Sequence, residues 1–459
     1  MKIQLIKAPT KNTGMPEHDW YMPLSLIWLA NYIFEYGYDV EILDGQLLNI
    51  NEITNRISAD IVGITFDVLS IDEFDTIVKE AKSRGCFTIA GGHFVTALGD
   101  TLLKGNPNLD AIVQYDGEEG LLSIIQSLET KGRLNGTMTN TIFRQDDQIF
   151  TTPIKNVNLN TLQLPKREIG GLDIEEYFKN FQTTKKNLKL PFKYDRPTNS
   201  YSHKGCMFRT NGKGCSFCSR VDTHFRQKSA SQVYQEYKYL IENCGVDHIS
   251  DFSDSWIFTP FVKALSKEYT KLGRLNASIR VYGDVRHITQ ENAKIMQEIG
   301  VETVLLGIES GNEEILRLNG KPISRKQILD AVKVLAQNRI KIADAYVLGL
   351  IGETRESIQD TISLSQEIRE LCETEISYWN IMTPLPGSKV WRILNPFGKY
   401  FFDYHIDTQK IEELVIQMLC NLGNHAYEYL LNVRDNMLKS SLIPSSEFVS
   451  PKTTVDFQK

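Results

Sequence analysis

The chain lacks the features that would place it in a membrane, on nucleic acid or in an oxidising compartment. No apolar run approaches the roughly 18 residues that a membrane-spanning helix needs, and the opening MKIQLIKAPT contains no signal-peptide core. A formal charge of −6 and a pI of about 5.9 give no basic surplus for nucleic acid or an anionic membrane surface. The cysteines number seven, which is odd, and they form no disulfide framework. We therefore expect a cytoplasmic protein with no nucleic-acid and no membrane partner.

What the chain does contain is enough apolar sequence for a large core. Its 459 residues, 41 % hydrophobic and 24 % charged, are typical of a globular protein with two or three domains. Four of the cysteines are scattered, and in a reducing compartment we expect them to be small core side chains. They are Cys86, Cys244, Cys372 and Cys420. The other three are grouped in one loop, which is the most informative stretch of the chain.

That loop is SHKGCMFRTNGKGCSFCSR, residues 202–220, and it contains Cys206, Cys215 and Cys218. A close pair of thiolates with a third sulfur nearby binds either tetrahedral zinc or an iron–sulfur cluster. Three ligands on a four-iron cluster would leave one iron open to bind a further molecule. A structural zinc ion would instead take His203 or His224 as its fourth ligand. Three unrelated free cysteines are the remaining alternative, so the loop alone does not decide the metal.

Residues 1–135 alternate short apolar runs with longer amphipathic patterns, giving five βα units in a row. Such a run predicts a doubly wound α/β domain, whose parallel sheet binds ligands beyond the carboxyl ends of its strands. The predicted strands are Lys2–Lys7, Val40–Leu43, Ile61–Thr65, Phe87–Ala90 and Ala111–Gln114.

Two strand ends of this domain are suited to binding a ligand. Gly91 and Gly92, followed by His93, come after the fourth strand, and they allow a backbone to approach a ligand closely. Gly117 and Glu118 belong to YDGEEG, the acidic start of the last helix of the domain. A simple turn would explain the glycines, and a favourable interaction with the helix dipole would explain the acids.

The stretch between the two predicted domains combines a hairpin with a linker. Residues 140–153, NTIFRQDDQIFTTP, are two β-like runs around an Asp-Asp turn. Residues 155–200 lose clear periodicity and hold several prolines and glycines, which is typical of a surface linker.

From Asn199 onward, six further βα units, with Ser200–Lys204 as the first strand, predict a parallel, barrel-like sheet with the chemistry at its strand ends. Glycines, hydroxyls and carboxylates recur at these ends. Asp254 and Glu309 can each accept a hydrogen bond from an ammonium group, and Ser310 can donate one to a carboxylate. Each of them also stands before a helix, where capping would be a sufficient role.

These motifs together resemble the radical SAM superfamily, in particular its members with an N-terminal cobalamin-binding-like domain. In the first domain the resemblance lies in PLSLIWLANYIFEYGYDVEILD, AGGHFVT and YDGEEG. In the second it lies in CSFCSR, FSDSW, LLGIESGNEEILRLNGK, VLGLIGET and TPLPGS. It spans almost the whole chain, from the opening strand to about residue 395.

The resemblance implies an α/β architecture with four parts. A doubly wound, Rossmann-like (cobalamin-binding-like) domain over residues 1–135 is followed by a hairpin and linker over 136–195. A partial (β/α)6 TIM-type barrel, the radical SAM core, follows over 196–395. Beyond the resemblance, apolar and aromatic positions predict a short helical tail over 396–459, which is expected to cap the substrate opening.

The resemblance also implies three cofactors and their ligands. In this family three cysteines, here Cys206, Cys215 and Cys218, bind a [4Fe–4S] cluster, and its open iron chelates the amino and carboxylate groups of S-adenosylmethionine. Contacts to S-adenosylmethionine are expected from Phe217, Asp254, Glu309 and Ser310. Contacts to cobalamin are expected from Gly91, Gly92, His93, Gly117 and Glu118. No side chain is assigned a catalytic role.

Three departures from the family pattern matter. The first gap between the cysteines has eight residues where the family has three, although loop entropy grows slowly enough for three-point ligation. In FSDSW, Asp254 is kept, but Ser255 stands where the family has a second Asp. The Asp-x-His-x-x-Gly motif of cobalamin proteins that ligate cobalt through histidine is absent, and the first domain holds only His18 and His93. We therefore expect cobalt to have no histidine ligand.

The implied reaction is the reductive cleavage of S-adenosylmethionine at the cluster, followed by hydrogen abstraction from a small-molecule or natural-product substrate. Cobalamin would deliver a methyl group to an unactivated carbon, and a reductant such as flavodoxin or ferredoxin would supply the electron. One alternative is a radical cyclase, rearrangement or oxidation enzyme on the same scaffold. Another is a non-catalytic zinc or iron–sulfur regulatory protein.

Overall fold

The structure of the protein, a computed structural model, describes residues 1–10, 20–146, 148–209, 214–222, 224–394 and 404–441. It contains one large sheet in each half of the chain, together with a short two-stranded ribbon. No helix within these residue ranges is long and apolar enough to cross a membrane. His18 lies outside them.

The first sheet has a parallel part built from the five strands that the alternation of apolar runs predicts. They are β1 (Ile3–Lys7), β2 (Val40–Asp44), β3 (Ile61–Thr65), β4 (Phe87–Gly91) and β5 (Ala111–Val113). Their order is β2-β1-β3-β4-β5, so the chain winds outward in both directions from β1 and β3. In such a sheet the ligand crevice lies at the carboxyl ends of these two central strands.

Six helices cover both faces of this sheet. They are α1 (Leu24–Phe34), α2 (Ile50–Arg56), α3 (Ile71–Ser83), α4 (His93–Leu98), α5 (Asp100–Gly105) and α6 (Gly117–Lys131). Ile27 of α1 and Ile124 of α6 belong to the core on one face. Phe74 of α3 and Leu102 of α5 belong to the core on the other face. Because both faces are buried, the doubly wound fold predicted for this half is confirmed.

The predicted hairpin is part of the first sheet. Its strands, β6 (Thr141–Gln145) and β7 (Gln148–Thr151), add to β5 in antiparallel orientation and extend the sheet to seven strands. The sheet of the first domain therefore continues well beyond residue 135.

Residues 155–200 are not a linker throughout, because α7 (Ile174–Leu188) forms within them. Tyr177, Phe178 and Phe181 are buried on one face of this helix. Their spacing is that of an amphipathic helix, and the surrounding prolines and glycines concealed it in the sequence. The prediction of a surface linker without clear periodicity therefore missed this helix.

The first strand of the barrel also differs from the prediction. The sequence predicts it over Ser200–Lys204, whereas β8 spans Pro197–Ser200. After a bend, β9 (His203–Lys204) pairs in antiparallel orientation with β10 (Arg226–Gln227). The loop with the three cysteines lies between these two strands, so their pairing holds its two ends together.

The second sheet is a parallel half-barrel with the strand order β15-β14-β13-β12-β11-β8. Its remaining strands are β11 (His248–Asp251), β12 (Ser278–Gly283), β13 (Val301–Glu309), β14 (Lys341–Leu348) and β15 (Thr374–Ile381). The helices between the strands are α8 (Ala230–Glu242), α9 (Thr259–Leu272), α10 (Gln290–Glu298), α11 (Glu313–Leu318), α12 (Arg325–Gln337) and α13 (Arg355–Leu371). This is the partial (β/α)6 barrel that the sequence predicts.

The end of the described chain is helical, as predicted, with α14 (Lys389–Leu394), α15 (Thr408–Leu419) and α16 (Ala426–Ser441). Val415 of α15 joins the core on the α3 face of the first sheet. Leu430 of α16 joins the core of the barrel. The C-terminal helices therefore pack against the cores of both large sheets.

Candidate active site

The cysteine loop is held in place by two other parts of the barrel. The Ser216 amide donates to the Asn319 carbonyl (2.9 Å), and the Ser216 hydroxyl bonds to the Asn319 side chain (2.6 Å). Lys389 donates to the Gly214 carbonyl (3.0 Å). A Cβ on Gly320 would lie 2.5 Å from that same carbonyl oxygen, and the φ of +75° at Gly320 also favours glycine. The loop is thus fixed between the turn after α11 and the start of α14.

Each cysteine of the loop has its own polar neighbour. The pairs are Arg209 with Cys218, Ser255 with Cys206, and Lys321 with Cys215. Arg209 Nη1 donates to Cys218 Sγ at 3.4 Å. Ser255 also accepts from the Met207 amide (3.2 Å), so the residue that replaces the family's second Asp supports the start of the loop. Such neighbours would offset the negative charge of a thiolate bound to a metal.

The three thiols share one electrostatic environment. Burial raises the pKa of Cys215 to about 12, although the Lys321 ammonium opposes this rise, and Cys218 and Cys206 also act on it. Burial likewise raises the pKa of Cys206, while hydrogen bonds, among them one from Ser255, lower it. Without a metal, Cys206 and Cys215 are therefore protonated near neutral pH, and a metal that binds them must displace their protons.

The packing of His203 does not favour it as a fourth ligand for zinc. The His203 ring lies against the Phe225 and Phe261 rings, with centroid distances of 5.3 and 4.5 Å. Its two ring nitrogens are buried and have no hydrogen-bond partner among the described residues. In the same residues, no group of three or more His, Cys, Asp or Glu side chains is arranged to hold one metal ion. The donors that fit a metal centre by their chemistry are the three thiols of the loop, which are soft ligands suited to an iron–sulfur cluster.

Asp254 lies just beyond the end of β11, and its side chain is only 14 % exposed. Arg220 Nη2 is 2.8 Å from its Oδ1 atom. Its Oδ2 atom is buried and has no hydrogen-bond partner within the part of the chain that the structure describes. Burial raises the pKa of Asp254, and the Arg220 guanidinium opposes this rise. A bound ammonium group would satisfy the second oxygen, so the geometry is compatible with the predicted contact to S-adenosylmethionine.

Glu309 ends β13 with a φ of +67°, which is rare for a residue other than glycine. Its Oε1 atom accepts from Lys321 at 2.8 Å, and Lys321 also donates to the Gly307 carbonyl (2.6 Å). The unusual backbone therefore holds a largely buried ion pair whose cation faces Cys215.

Two further residues predicted to contact S-adenosylmethionine are engaged within the protein. The fully buried Ser310 hydroxyl lies 3.2 Å from the Thr361 hydroxyl and accepts from the Asn312 amide (3.2 Å), which stabilises the turn before α11. Phe217 is half-buried and packs against the core on the α3 face of the first sheet. Their contacts to S-adenosylmethionine stay predictions.

A cavity of about 340 Å³ lies between the carboxyl ends of the first sheet and the first two strands of the barrel. Its walls from the first domain are mainly apolar and include Leu5, Leu24, Trp28, Ile89 and Leu121. All five residues predicted for cobalamin also line it, namely Gly91, Gly92, His93, Gly117 and Glu118. The barrel contributes Asn199, Tyr201, Lys204, Arg220 and Phe252. An apolar cavity with a few polar groups is typical of a ligand or cofactor site.

His93 forms the part of the cavity wall that contacts the cysteine loop. One of its ring nitrogens bonds to the carbonyl of Ser219, the residue after the last cysteine. Burial and the Arg220 guanidinium lower the pKa of His93 to about 4, so the imidazole is neutral near pH 7. The preceding Gly92 has a φ of +109°, and a Cβ there would lie 2.6 Å from Thr65 Oγ1. That cobalt has no histidine ligand stays a prediction.

An ion network at the cavity wall could not be found from the sequence. Asp116 accepts from Lys204 (2.9 Å), from the Val157 amide (2.8 Å) and from the Arg226 guanidinium. Burial alone would raise the pKa of Asp116, but Lys204 and Arg226 lower it. Glu118 lies 3.7 Å from Lys204, and its Oε2 atom is buried without a hydrogen-bond partner in the described ranges. The acidic helix start is visible in the sequence, but its partners are 88 and 110 residues away.

Part of the chain matches the sequence profile of a known protein family. The profile described as the Radical SAM superfamily matches residues 201–365. This segment contains the cysteine loop, Asp254 and the Glu309–Ser310 pair. The cofactors of that superfamily are a [4Fe–4S] cluster and S-adenosylmethionine, in agreement with the prediction from the sequence.

Two relatives resemble nearly the whole chain. An uncharacterised methyltransferase of Pyrococcus horikoshii is 26 % identical over 409 residues, which cover 85 % of this chain and 82 % of that protein. The anaerobic magnesium-protoporphyrin IX monomethyl ester cyclase of Rubrivivax gelatinosus is 24 % identical over 426 residues, which cover 88 % of this chain and 72 % of that protein.

A solved structure shares the fold. The radical S-adenosylmethionine methyltransferase TsrM from Kitasatospora setae, solved with cobalamin and a [4Fe–4S] cluster bound, matches with a TM-score of 0.69 and 15 % identity. The match covers 84 % of this chain and 76 % of TsrM, and at this identity it shows the fold alone. The family match and the relatives rule out the non-catalytic alternative. The chain therefore contains a radical SAM domain at residues 201–365, and it is an enzyme.

Proposed function

We propose that the protein is a cobalamin-dependent radical SAM methyltransferase that methylates an unactivated carbon of a small-molecule or natural-product substrate. The observation that carries this proposal is the position of the cavity of about 340 Å³. Every residue predicted to contact cobalamin lines it, and Arg220, which follows Cys218 closely in sequence, forms part of its wall. A cofactor bound in the cavity would therefore lie beside the cysteine loop.

The three thiols of the loop fit a [4Fe–4S] cluster by their donor chemistry. Cys206, Cys215 and Cys218 would hold it, with Arg209 and Lys321 as cationic neighbours that offset the charge of the thiolates. When bound, the cluster and cobalamin supply one-electron chemistry at S-adenosylmethionine and a methyl donor, respectively. The electron would come from a reductant such as flavodoxin or ferredoxin.

Asp254 and Glu309 would bind the amino acid part of S-adenosylmethionine. The unsatisfied Oδ2 atom of Asp254 is an acceptor for its ammonium group. The side chains of Asp254 and Glu309 are only 14 % and 11 % exposed, so water is largely excluded and their polar contacts are strengthened. The role of these residues is to hold and orient the ligand next to the open side of the loop.

The first domain would bind cobalamin through shape and a few polar groups. Gly91 and Gly92 allow the backbone to approach the ligand closely. Trp28 forms an apolar wall, and its ring is fixed by the Lys228 ammonium, which lies 4.2 Å from the ring centroid. The buried Oε2 atom of Glu118 is an acceptor for one of the amide groups on the periphery of cobalamin.

The names of similar proteins support two reactions to different degrees. The Pyrococcus horikoshii relative and TsrM are both named as methyltransferases, which supports methyl transfer. The Rubrivivax gelatinosus relative is named as a cyclase. Ring closure on the same scaffold is therefore the second candidate.

The two candidates can be separated without knowing the substrate. Full-length protein reconstituted anaerobically with iron, sulfide and cobalamin is expected to hold about four irons and about one cobalt per chain. When S-adenosylmethionine labelled in its methyl group is added under reducing conditions, the label is expected to appear on cobalamin. Protein that cleaves S-adenosylmethionine but binds no cobalamin would contradict methyl transfer and favour the cyclase.

We expect Asp254→Asn to weaken the binding of S-adenosylmethionine about ten- to a hundredfold, because a hydrogen bond to a charged group contributes about 1.5–3 kcal/mol. Equilibrium dialysis with the cluster-loaded protein measures this change. Asp222→Asn is the matched control, since Asp222 also faces Arg220 but lines the cavity instead. Unchanged affinity in Asp254→Asn, or an equal loss in both variants, would show that Asp254 does not bind the ligand.

A further inference from the structure

Arg209, in the long gap between the first two cysteines of the loop, donates a hydrogen bond to the sulfur of the third cysteine, Cys218. Arg209 is the third of the eight residues between Cys206 and Cys215, and its amide donates to the Cys206 carbonyl (3.1 Å). This turn directs the side chain across the loop. Arg209 Nη1 then donates to Cys218 Sγ (3.4 Å) and to the Cys218 carbonyl (3.2 Å), so two atoms of the same cysteine accept from one nitrogen.

The rest of the guanidinium is fixed as well. Arg209 Nη2 donates to the carbonyl of Gly387, in the segment that follows β15 (3.3 Å). A Cβ on Gly214, near the end of this gap, would lie 3.3 Å from Arg209 Cγ, and the φ of +116° at Gly214 is one that glycine adopts readily. Gly214 therefore packs closely against the stem of Arg209. The Arg209 side chain is therefore held both at its guanidinium, by the Gly387 carbonyl, and at its stem, by Gly214.

Arg209 differs from most of the other cations near the loop, because no carboxylate in the described part of the chain forms an ion pair with it. Three of those cations have a carboxylate within 2.8 Å: Lys321 pairs with Glu309, Arg220 with Asp254, and Arg286 with Asp284. Among the described residues, no carboxylate lies within ion-pair distance of Arg209. Its acceptors are two backbone carbonyls and a sulfur. The charge of Arg209 acts on the Asp254 carboxylate from beyond ion-pair distance. Its hydrogen-bonded anionic partner is the thiolate that Cys218 becomes when it ligates a metal.

We propose that Arg209 raises the reduction potential of the [4Fe–4S] cluster by donating to the ligating sulfur of Cys218. The inference rests on the proposed function, which puts the cluster on this loop. The cluster gains one negative charge when it accepts one electron from the reductant, and no bond is made or broken in that step. A fixed N–H donor with a full positive charge stabilises the more negative state, since hydrogen bonds to the sulfurs and local charge set the potential of such clusters.

The test is a redox titration of the full-length, cluster-loaded protein, followed through the electron paramagnetic resonance signal of the reduced cluster. Arg209→Gln is expected to shift the equilibrium about tenfold toward the oxidised cluster, which lowers the midpoint potential by about 59 mV for a one-electron couple. Arg209→Lys keeps the charge but loses the planar fork, so an intermediate shift is expected. Lys389→Gln is the matched control, because Lys389 donates to a carbonyl of the loop and not to a cysteine sulfur. The midpoint potential of the cluster in this variant is expected to equal that of the wild type.

The outcomes separate this inference from the proposed function. A wild-type protein that binds no iron–sulfur cluster would overturn both. A wild-type cluster whose potential is unchanged in Arg209→Gln would overturn the tuning role alone. An equal shift in Lys389→Gln would also overturn it, because general charge rather than the bond to sulfur would then be responsible. Folded Arg209 variants that all lose iron, while Lys389→Gln keeps it, would assign Arg209 to holding the loop instead of tuning the cluster.

Discussion

The Cys206→Ala variant is expected to lose nearly all of its roughly four irons per chain, and the Cys215→Ala and Cys218→Ala variants are expected to do the same. Removing one thiolate from a three-ligand set leaves two, which cannot retain a cluster that already has an open iron. Cys206 is the most informative of the three, because a gap of eight residues separates it from the other two. Its bond to Ser255 and its electrostatic interaction with Cys215 support its place in the set.

Iron and sulfide analysis after anaerobic reconstitution measures this loss. Cys244→Ala is the control, since Cys244 is also half-buried and free but lies outside the loop, and it should retain the iron of the wild type. Unchanged iron in Cys206→Ala would remove this residue from the ligand set. Stoichiometric zinc without sulfide in the wild type would replace the cluster by a structural zinc site.

The parts of the site that the sequence predicted are those in which function leaves a local pattern. A Cys-x-x-Cys pair with a third cysteine is recognisable because the ligands must come from one short loop. The glycines at 91 and 92 are recognisable because a strand end needs a close backbone approach. The strand–helix alternation predicted both sheets because parallel strands with covered faces require continuous apolar runs.

The parts that the sequence did not predict depend on contacts between distant residues. Arg209 contacts the Gly387 carbonyl, 178 positions away, and nothing near Arg209 in the sequence indicates this. Helix α7 was missed although its buried aromatic residues follow helical spacing, because prolines and glycines on both sides favour a linker. The start of the barrel was misplaced because the chain bends after Ser200 and uses the next residues in a separate ribbon.

The ion network of Asp116, Lys204 and Arg226 is one such set of distant contacts, and it connects two parts of the site. Lys204 and Arg226 belong to the two strands of the ribbon that closes the base of the cysteine loop. Asp116 stands at the end of the first domain that faces the cavity. The ion network therefore joins the frame of the cysteine loop to the wall of the proposed cobalamin site. It fixes the distance between the two sites that the proposed reaction requires to be close.

Asp116→Ala is expected to lower the free energy of unfolding by about 3 kcal/mol. Removing one partner of a buried ion pair typically costs about 3–5 kcal/mol, because the remaining charge is left without compensation. The lower end of that range applies here, since Lys204 is 30 % exposed and still has Glu118 at 3.7 Å. Arg226, at 13 % exposure, is the cation that loses its carboxylate.

The loss in free energy of unfolding caused by Asp116→Ala should depend on pH. The direction of that dependence follows from the pKa of Asp116 in the folded protein. Although burial alone would raise this pKa, Lys204 and Arg226 lower it in the folded protein. The carboxylate therefore stabilises the fold above its unfolded pKa of about 3.9, and this stabilisation disappears as the pH falls through the lower, folded value. The difference between wild type and Asp116→Ala should be constant near neutral pH and shrink in acid.

Denaturant unfolding of both proteins at a series of pH values measures the effect. Asp100→Ala is the matched control, because Asp100 forms an exposed pair with Lys104, with side-chain exposures of 48 % and 63 %. An exposed pair contributes at most about 1 kcal/mol, so this variant should be nearly as stable as the wild type at every pH. If Asp116→Ala cost no more than Asp100→Ala, the network would not hold the cavity wall to the cysteine loop. The link between the two sites would then have to come from the apolar core that the tail shares with the first sheet.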